Sequence, residues 1–295
     1  VTITNSSGSG CSGTASTTVG VFNNATSISG NTVYCEGGTI NLTAAAGGIA
    51  YAWSGPGGYT QNGATVSRSN ATPLMSGTYT VTVSTGNGCL QTGSVVVTVN
   101  AAPVANITAF GSTTFCAGGS VLLTASGGNS YQWSNGLTSA SITAISSGIY
   151  TVTVTNGNGC TGTASQSVTV NPVPSLALTA LGATAFCQGG SVSLKATAAG
   201  TFLWSTGSTS NLIVATTSGT YTVTVTNSFG CTNSASQTVT VNPLPTAAIS
   251  ASGATSFCAG GSVTLTAGGG STYLWNTGAT SAAITVGTSG TYVVT

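Results

Sequence analysis

The chain has 295 residues but only three charged side chains, Glu36, Arg68 and Lys195, and it has no His and no Asp. General acid–base catalysis needs a group titrating near neutrality, glycosidase chemistry needs a second carboxylate, and calcium needs several oxygen ligands, so these classes are excluded. Two basic residues cannot neutralise a phosphate backbone, which removes nucleic acid as a partner.

No enzyme activity, no cofactor and no metal site are therefore expected. The cysteines have no His nearby to lower a thiol pKa, so a nucleophilic role is not expected either. Hydrophobic residues make up 40% of the chain, with Val, Ile, Tyr and Trp at regular spacing, which argues against disorder. The apolar runs are broken by Thr, Ser and Gly, far short of the roughly 20 residues a spanning helix needs, so this segment should hold no membrane span.

Read in order, residues 1–5 (Val-Thr-Ile-Thr-Asn) alternate as a strand, and Cys11 follows. The same pattern recurs at residues 152–156 with Cys160, so 1–25 reads as the C-terminal end of a truncated repeat. Residues 26–102 form a long repeat marked by Cys35, Trp53, Tyr79 and Cys89. Its Trp-to-Tyr gap is 26 residues instead of 17, the extra length being Gly-Pro-Gly-Gly-Tyr-Thr-Gln at 55–61. That composition is turn chemistry and predicts a lengthened surface loop.

Residues 103–173 carry Cys116, Trp133, Tyr150 and Cys160, and residues 174–244 carry Cys187, Trp204, Tyr221 and Cys231. Residues 245–295 carry Cys258, Trp275 and Tyr292 and stop inside the strand with which residue 1 begins. Cys116, Cys187 and Cys258 stand 71 residues apart, as do Cys89, Cys160 and Cys231. A repeat cut at the same phase at both ends is expected to be a slice of a longer chain.

Between these landmarks the segments are short and alternate with period two, as in Val121-Leu-Leu-Thr-Ala125 and Tyr221-Thr-Val-Thr-Val-Thr226. Gly, Asn and Ser turns separate them, and no window has a helical period. The fold class is thus all-β, tandem Ig-like β-sandwich repeats of about 71 residues forming a rod. Trp53, Trp133, Trp204 and Trp275 fall where such a sandwich buries a Trp, and Tyr79, Tyr150, Tyr221 and Tyr292 where a tyrosine corner ties the chain. An aromatic at a fixed phase reads as core rather than as a sugar platform. Phe22, Tyr59, Phe110 and Phe229 stand outside the pattern, and Tyr59 is the one expected to be exposed. Pro172, Pro174, Pro243 and Pro245 at the boundaries stiffen the junctions. The Asn-x-Ser/Thr sequons at Asn5, Asn24, Asn41, Asn70 and Asn106 are given no role.

Eight cysteines at fixed phases without metal-type spacing read as disulfides in an oxidising compartment. Two connectivities are open. One lies within repeats: Cys35–Cys89, Cys116–Cys160 and Cys187–Cys231. The other joins successive repeats: Cys35–Cys160 and Cys116–Cys231. Topology favours the second, because the two cysteine classes lie at opposite ends of one sandwich. Strands of about seven residues hold them over ~20 Å apart, against a Cα limit near ~7 Å. Cys11 and Cys258 find no partner in the within-repeat scheme.

The motifs Cys-x-Gly-Gly, Tyr-x-Trp-Ser-x-Gly, Ser-Gly-Thr-Tyr-Thr-Val-Thr-Val-Thr-Asn and Gly-Cys-Thr resemble the Ig-like and PKD-like repeats of Bacteroidetes cell-surface adhesins. The PKD hallmark Trp-x-Phe-Gly-Asp-Gly is absent, so the gliding-motility-adhesin type of repeat is the better match. The resemblance implies a giant adhesin exported by type IX secretion through a C-terminal signal, placed outside the cell at its surface. The function expected is a structural stalk segment that extends an adhesive region from the cell. The alternatives are a self-assembling extracellular filament and a polysaccharide-binding module. The partners expected are neighbouring repeats of the same chain, with self-association or surface polysaccharide in the alternatives.

Overall fold

Alternating Val or Leu with Thr or Ser gives each strand one dry face and one wet face, so two sheets must close over the dry faces. The computed structural model describes residues 2–4, 12–20 and 25–295, and the chain divides into two bodies, Val1–Val170 and Asn171–Thr295.

The first body begins with a hairpin of β1 (Thr2–Thr4) and β2 (Ser12–Thr14), in which Ile3 faces Gly13. The first sandwich follows, with β3 (Ile28–Ser29), β4 (Val33–Cys35), β5 (Ile40–Ala44), β6 (Gly48–Gly55), β7 (Tyr59–Asn62), β8 (Thr65–Arg68), β9 (Gly77–Thr85) and β10 (Leu90–Asn100). One sheet has the order β3-β5-β8 and the other β4-β10-β9-β6-β7. Among the strand pairs described for this sandwich, β4 on β10 is parallel and the others are antiparallel. The opening segment thus pairs first with β5, then crosses to β10 in the facing sheet. The crossing is made at Gly30, where φ is 136° and a Cβ would stand 2.3 Å from the Asn41 carbonyl oxygen. Only glycine fits there.

The second sandwich has β11 (Asn106–Phe110), β12 (Thr114–Cys116), β13 (Val121–Ser126), β14 (Ser130–Trp133), β15 (Ser141–Ala144), β16 (Gly148–Thr155) and β17 (Thr161–Asn171). Its sheets are β11-β13-β15 and β12-β17-β16-β14. In the second body, β18 (Ala177–Ala180), β19 (Ala185–Cys187), β20 (Val192–Thr197), β21 (Thr201–Trp204), β22 (Leu212–Ala215), β23 (Gly219–Thr226) and β24 (Thr232–Asn242) repeat that plan strand for strand. The Asn106↔Ser126 pairing of the second sandwich is answered by Ala177↔Thr197 in the third. Last come β25 (Ala248–Ala251), β26 (Val263–Gly268) and β27 (Ala283–Val286), one three-stranded sheet. Opposite it, Trp275 is bridged to Val294 alone.

These sheet orders are those of tandem Ig-like sandwiches. The cores follow the alternation: Ile40, Leu42, Val66, Val81 and Val97 are buried in the first sandwich, and Val192, Leu194, Val223, Val225 and Val239 in the third. Each such side chain removed from water contributes about 1.5–3 kcal/mol. Among the described residues no helix is long and apolar enough to cross a membrane.

Two expectations are corrected here. The 55–61 insertion is not simply a longer loop. Pro56–Gly58 makes a tight turn with Gly57 at φ 69° and Gly58 at φ 73°, and β7 returns along β6 with Tyr59 facing Gly55. Two successive glycines reverse the chain, and the Tyr-Thr-Gln-Asn run then extends, so the insertion adds an edge strand. Nor is Tyr59 an exposed aromatic. It is half-buried against the first core, edge-on to Tyr79 at 6.0 Å, with the Arg68 guanidinium 4.3 Å above its ring. Burial raises the Tyr59 pKa, and the Arg68 charge partly offsets that rise. The chain's single arginine is spent on this cluster, for it also donates to Tyr79 Oη at 2.7 Å.

Candidate functional site: the joint between sandwiches

The cysteines, tryptophans and tyrosines singled out in the sequence fall into two groups, those that close each core and those that meet at the boundary between sandwiches. The core group is uniform. Trp53, Trp133, Trp204 and Trp275 are fully buried, and each indole Nε1–H donates to a backbone carbonyl: Gly63, Ser139, Ser210 and Ser281, at 2.7–3.0 Å. Tyr79, Tyr150, Tyr221 and Tyr292 each donate through Oη to the carbonyl four residues earlier: Met75, Ser146, Thr217 and Thr288, at 2.9–3.2 Å. These bonds satisfy the one polar atom of each large ring.

The boundary group is built where the first body joins its two sandwiches. Cys35 closes β4 and is bonded to Cys160, with Cα atoms 5.4 Å apart. Cys160 lies in the turn between β16 and β17 and is 1% exposed. Four residues before it, Asn156 shapes that turn. Its Oδ1 accepts from the amides of Asn158 and Cys160, each at 3.0 Å, and its Nδ2 donates to the Ala101 carbonyl in the connecting segment at 3.0 Å. From the other side, the Glu36 amide donates to the Asn100 carbonyl at 2.8 Å. Glu36 Oε2 accepts from the Ala102 amide at 3.2 Å. The Asn100 carbonyl also lies 3.9 Å from Cys160 Sγ, a contact only, since a bonded sulfur has no proton to donate. One disulfide and three hydrogen bonds therefore fix residues 100–102.

The second body repeats half of this arrangement. Asn227 Oδ1 accepts from Phe229 and Cys231 amides at 3.0 Å, and Asn227 Nδ2 donates to the Pro172 carbonyl at 2.7 Å. Cys231 is buried, and both it and Cys116 are disulfide-bonded. In the first sandwich the corresponding turn has Thr85, whose Oγ1 donates only to the Cys89 carbonyl at 3.1 Å. Cys89, Cys187 and Cys258 are free thiols, the first half-buried and the others exposed. Cys11 lies outside the described residues.

Of the two connectivities read from the sequence, the structure holds the one that joins successive sandwiches at Cys35. The sequence reading missed Asn156, Asn227 and Glu36. Their signal was present, an Asn four residues before a second-class Cys, and the only acid directly after a first-class one. Among the described residues no three His, Cys, Asp or Glu side chains gather as a metal would require.

No protein-family model matches the chain, and no curated protein does. Solved structures do match. The I67–I69 fragment of titin is similar over 74% of this chain and 98% of its own, at 14% identity and TM-score 0.36. A structure from a 1.5-MDa bacterial ice-binding adhesin is similar over 75% of this chain and 99% of its own, at 16% identity and TM-score 0.26. The N-terminal eight Ig domains of Down syndrome cell adhesion molecule are similar over 83% of this chain, at 16% identity and TM-score 0.28, and the chain spans 45% of that structure. The assignment of Ig-like sandwiches rests on the strand order described above rather than on these distant similarities.

Proposed function

We propose that this chain is a structural segment of an extracellular adhesin, a stalk whose successive Ig-like sandwiches are locked together. The observation that carries the reading is the joint at Cys35–Cys160. A chain that needed freely swinging domains would leave the connecting residues solvated, as flexible linkers are. Here residues 100–102 are held by Asn156, Glu36 and the disulfide. Disulfides also belong to oxidising surroundings, which supports a place outside the cell. The reading is non-catalytic, and it extends to the finer expectation of a surface stalk in a gliding-adhesin type of protein exported by the type IX route. Purification of the full-length parent from culture medium or cell surface tests that finer part.

The stalk itself is tested by small-angle scattering of the chain at high dilution, with disulfides intact and after reduction. An elongated particle whose maximum dimension is sharp when oxidised and blurred when reduced is expected. A compact scatterer, or one indifferent to reduction, would overturn the proposal.

A further inference from the structure

The first sandwich departs from the plan of the others at one edge. On β8 the residue paired with Ile40 is Arg68. At the same register position the second and third sandwiches carry Ala144 and Ala215, paired with Val121 and Val192 and fully buried. The arginine therefore starts from a core position. Two insertions absent from the later repeats surround it. One is 55–61. The other follows Arg68, which stands nine positions before Gly77, whereas Ala144 and Ala215 stand four before Gly148 and Gly219. The insertions pack on each other through the Pro56–Gly58 and Pro73–Met75 turns. Pro56 Cγ lies 2.8 Å from where a Cβ on Gly77 would stand, while the space above Gly57 and Gly58 is clear.

A guanidinium has five N–H donors in a flat fork. Nη1 of Arg68 donates to Tyr79 Oη at 2.7 Å and to the Pro56 carbonyl at 3.3 Å. Nε and Nη2 have no acceptor among the described residues. No side-chain nitrogen or oxygen there is buried without a partner, so these two nitrogens meet solvent. The charge has no protein counterion either. Glu36 is the only acid of the chain, and its carboxylate accepts from the Ala102 amide at the joint. Nε and Nη2 form one edge of the fork, the edge that a planar carboxylate meets through two parallel hydrogen bonds.

The groups beside that edge narrow the ligand further. Tyr59 stacks on the guanidinium, and its hydroxyl donates to Gln61 Oε1, which leaves the exposed Gln61 amide nitrogen as a donor. Strands β7 and β8 are edge strands of the two different sheets, so the Arg68–Tyr59 contact spans both edges. A peptide added as a strand to β7 would meet the backbone of one edge, not a cation held between two. A sugar acid brings a carboxylate for the fork, hydroxyls for Gln61 and a C–H face for the uncovered part of the Tyr59 ring. We infer that the first sandwich binds a carboxylate-bearing saccharide at Arg68, Tyr59 and Gln61. This site adds ligand binding to the stalk reading and does not rest on it, so its failure would leave the Cys35–Cys160 joint untouched.

The test uses the whole oxidised chain, whose single arginine gives one guanidinium Nε–H signal in a heteronuclear NMR spectrum. Trigalacturonate should shift that signal saturably, and the neutral galactose trimer should leave it in place. By calorimetry, Arg68→Ala should weaken trigalacturonate binding at least about tenfold, as the loss of a charge-assisted pair predicts. That variant installs the residue the second and third sandwiches carry, and retained exchange protection in β9 and β10 checks its fold. Arg68→Lys, which keeps the charge without the fork, should fall between it and wild type. Lys195→Ala, which removes an exposed cation from the third sandwich, should bind as wild type does. The proposal is overturned by the absence of a saturable shift, or by a shift that the neutral trimer, a triglutamate peptide or acetate at equal carboxylate concentration reproduces. Equal weakening by Lys195→Ala and Arg68→Ala would overturn it as well.

Discussion

Replacing Asn156 by Ala removes the side chain that shapes the joint turn, and its cost can be worked bond by bond. The Cys160 amide loses its acceptor inside a buried site, and a buried donor left unpaired costs about 1–3 kcal/mol. The Asn158 amide is exposed, so water replaces its lost partner at little cost. Local opening of the turn should therefore become easier by about 2 kcal/mol, which is roughly 30-fold faster exchange of the Cys160 amide. Asn156→Asp separates the roles of the side chain. A carboxylate still accepts from both amides but cannot donate to the Ala101 carbonyl, so its Cys160 amide should exchange within about threefold of wild type, on the scale of one ordinary hydrogen bond. Hydrogen exchange read by mass spectrometry on peptides covering 156–162 is the assay. An Asn156→Ala protein that exchanges like wild type, or an Asn156→Asp protein as open as the alanine variant, would refute the reasoning.

Trp204→Ala should destabilise the third sandwich by about 3–5 kcal/mol, seen as loss of exchange protection in β20–β24 while the first sandwich stays protected. Tyr221→Phe deletes the bonds that the Tyr221 hydroxyl makes with the Thr217 carbonyl and the Thr217 hydroxyl and should cost about 1–2 kcal/mol in the same measurement. Arg68→Ala removes the cation above Tyr59 and the donor to Tyr79, a loss of about 1–2 kcal/mol confined to the first sandwich. Because the Arg68 charge lowers the Tyr59 pKa against the rise caused by burial, the same variant should titrate Tyr59 at higher pH, which ultraviolet absorbance difference spectra would read. Non-reducing digestion should join the Cys35 peptide to the Cys160 peptide, and recovery of Cys35 with Cys89 would contradict the joint.

What could be read in the sequence was whatever recurs at a fixed phase. Trp133 and Trp204 share their surroundings down to the carbonyl that each indole reaches, so their recurrence marked one strand of each core. The joint was half legible. Cysteine classes and strand directions point to a link between sandwiches, but Asn156 acts through the Ala101 carbonyl 55 residues away, and spacing along the chain does not show such a meeting. Strands β4 and β7 were hidden for different reasons. The first is a three-residue parallel pairing that exists only because β10 runs beside it. The second reads as turn composition until Gly57 and Gly58 complete the reversal and align Tyr59 with Gly55. Short edge strands take their stability from the neighbour more than from their own residues.

The most direct test of the locked joint is single-molecule pulling of a Cys116→Ser/Cys231→Ser chain through its ends, with reductant added at constant force. A Cys35–Cys160 bond encloses a sequence separation of 125 residues, so its reduction should release one step of about 430 Å once the sandwiches have unfolded, at roughly 3.5 Å per residue. A step of about 190 Å, the length set free from a Cys35–Cys89 link, would contradict the account.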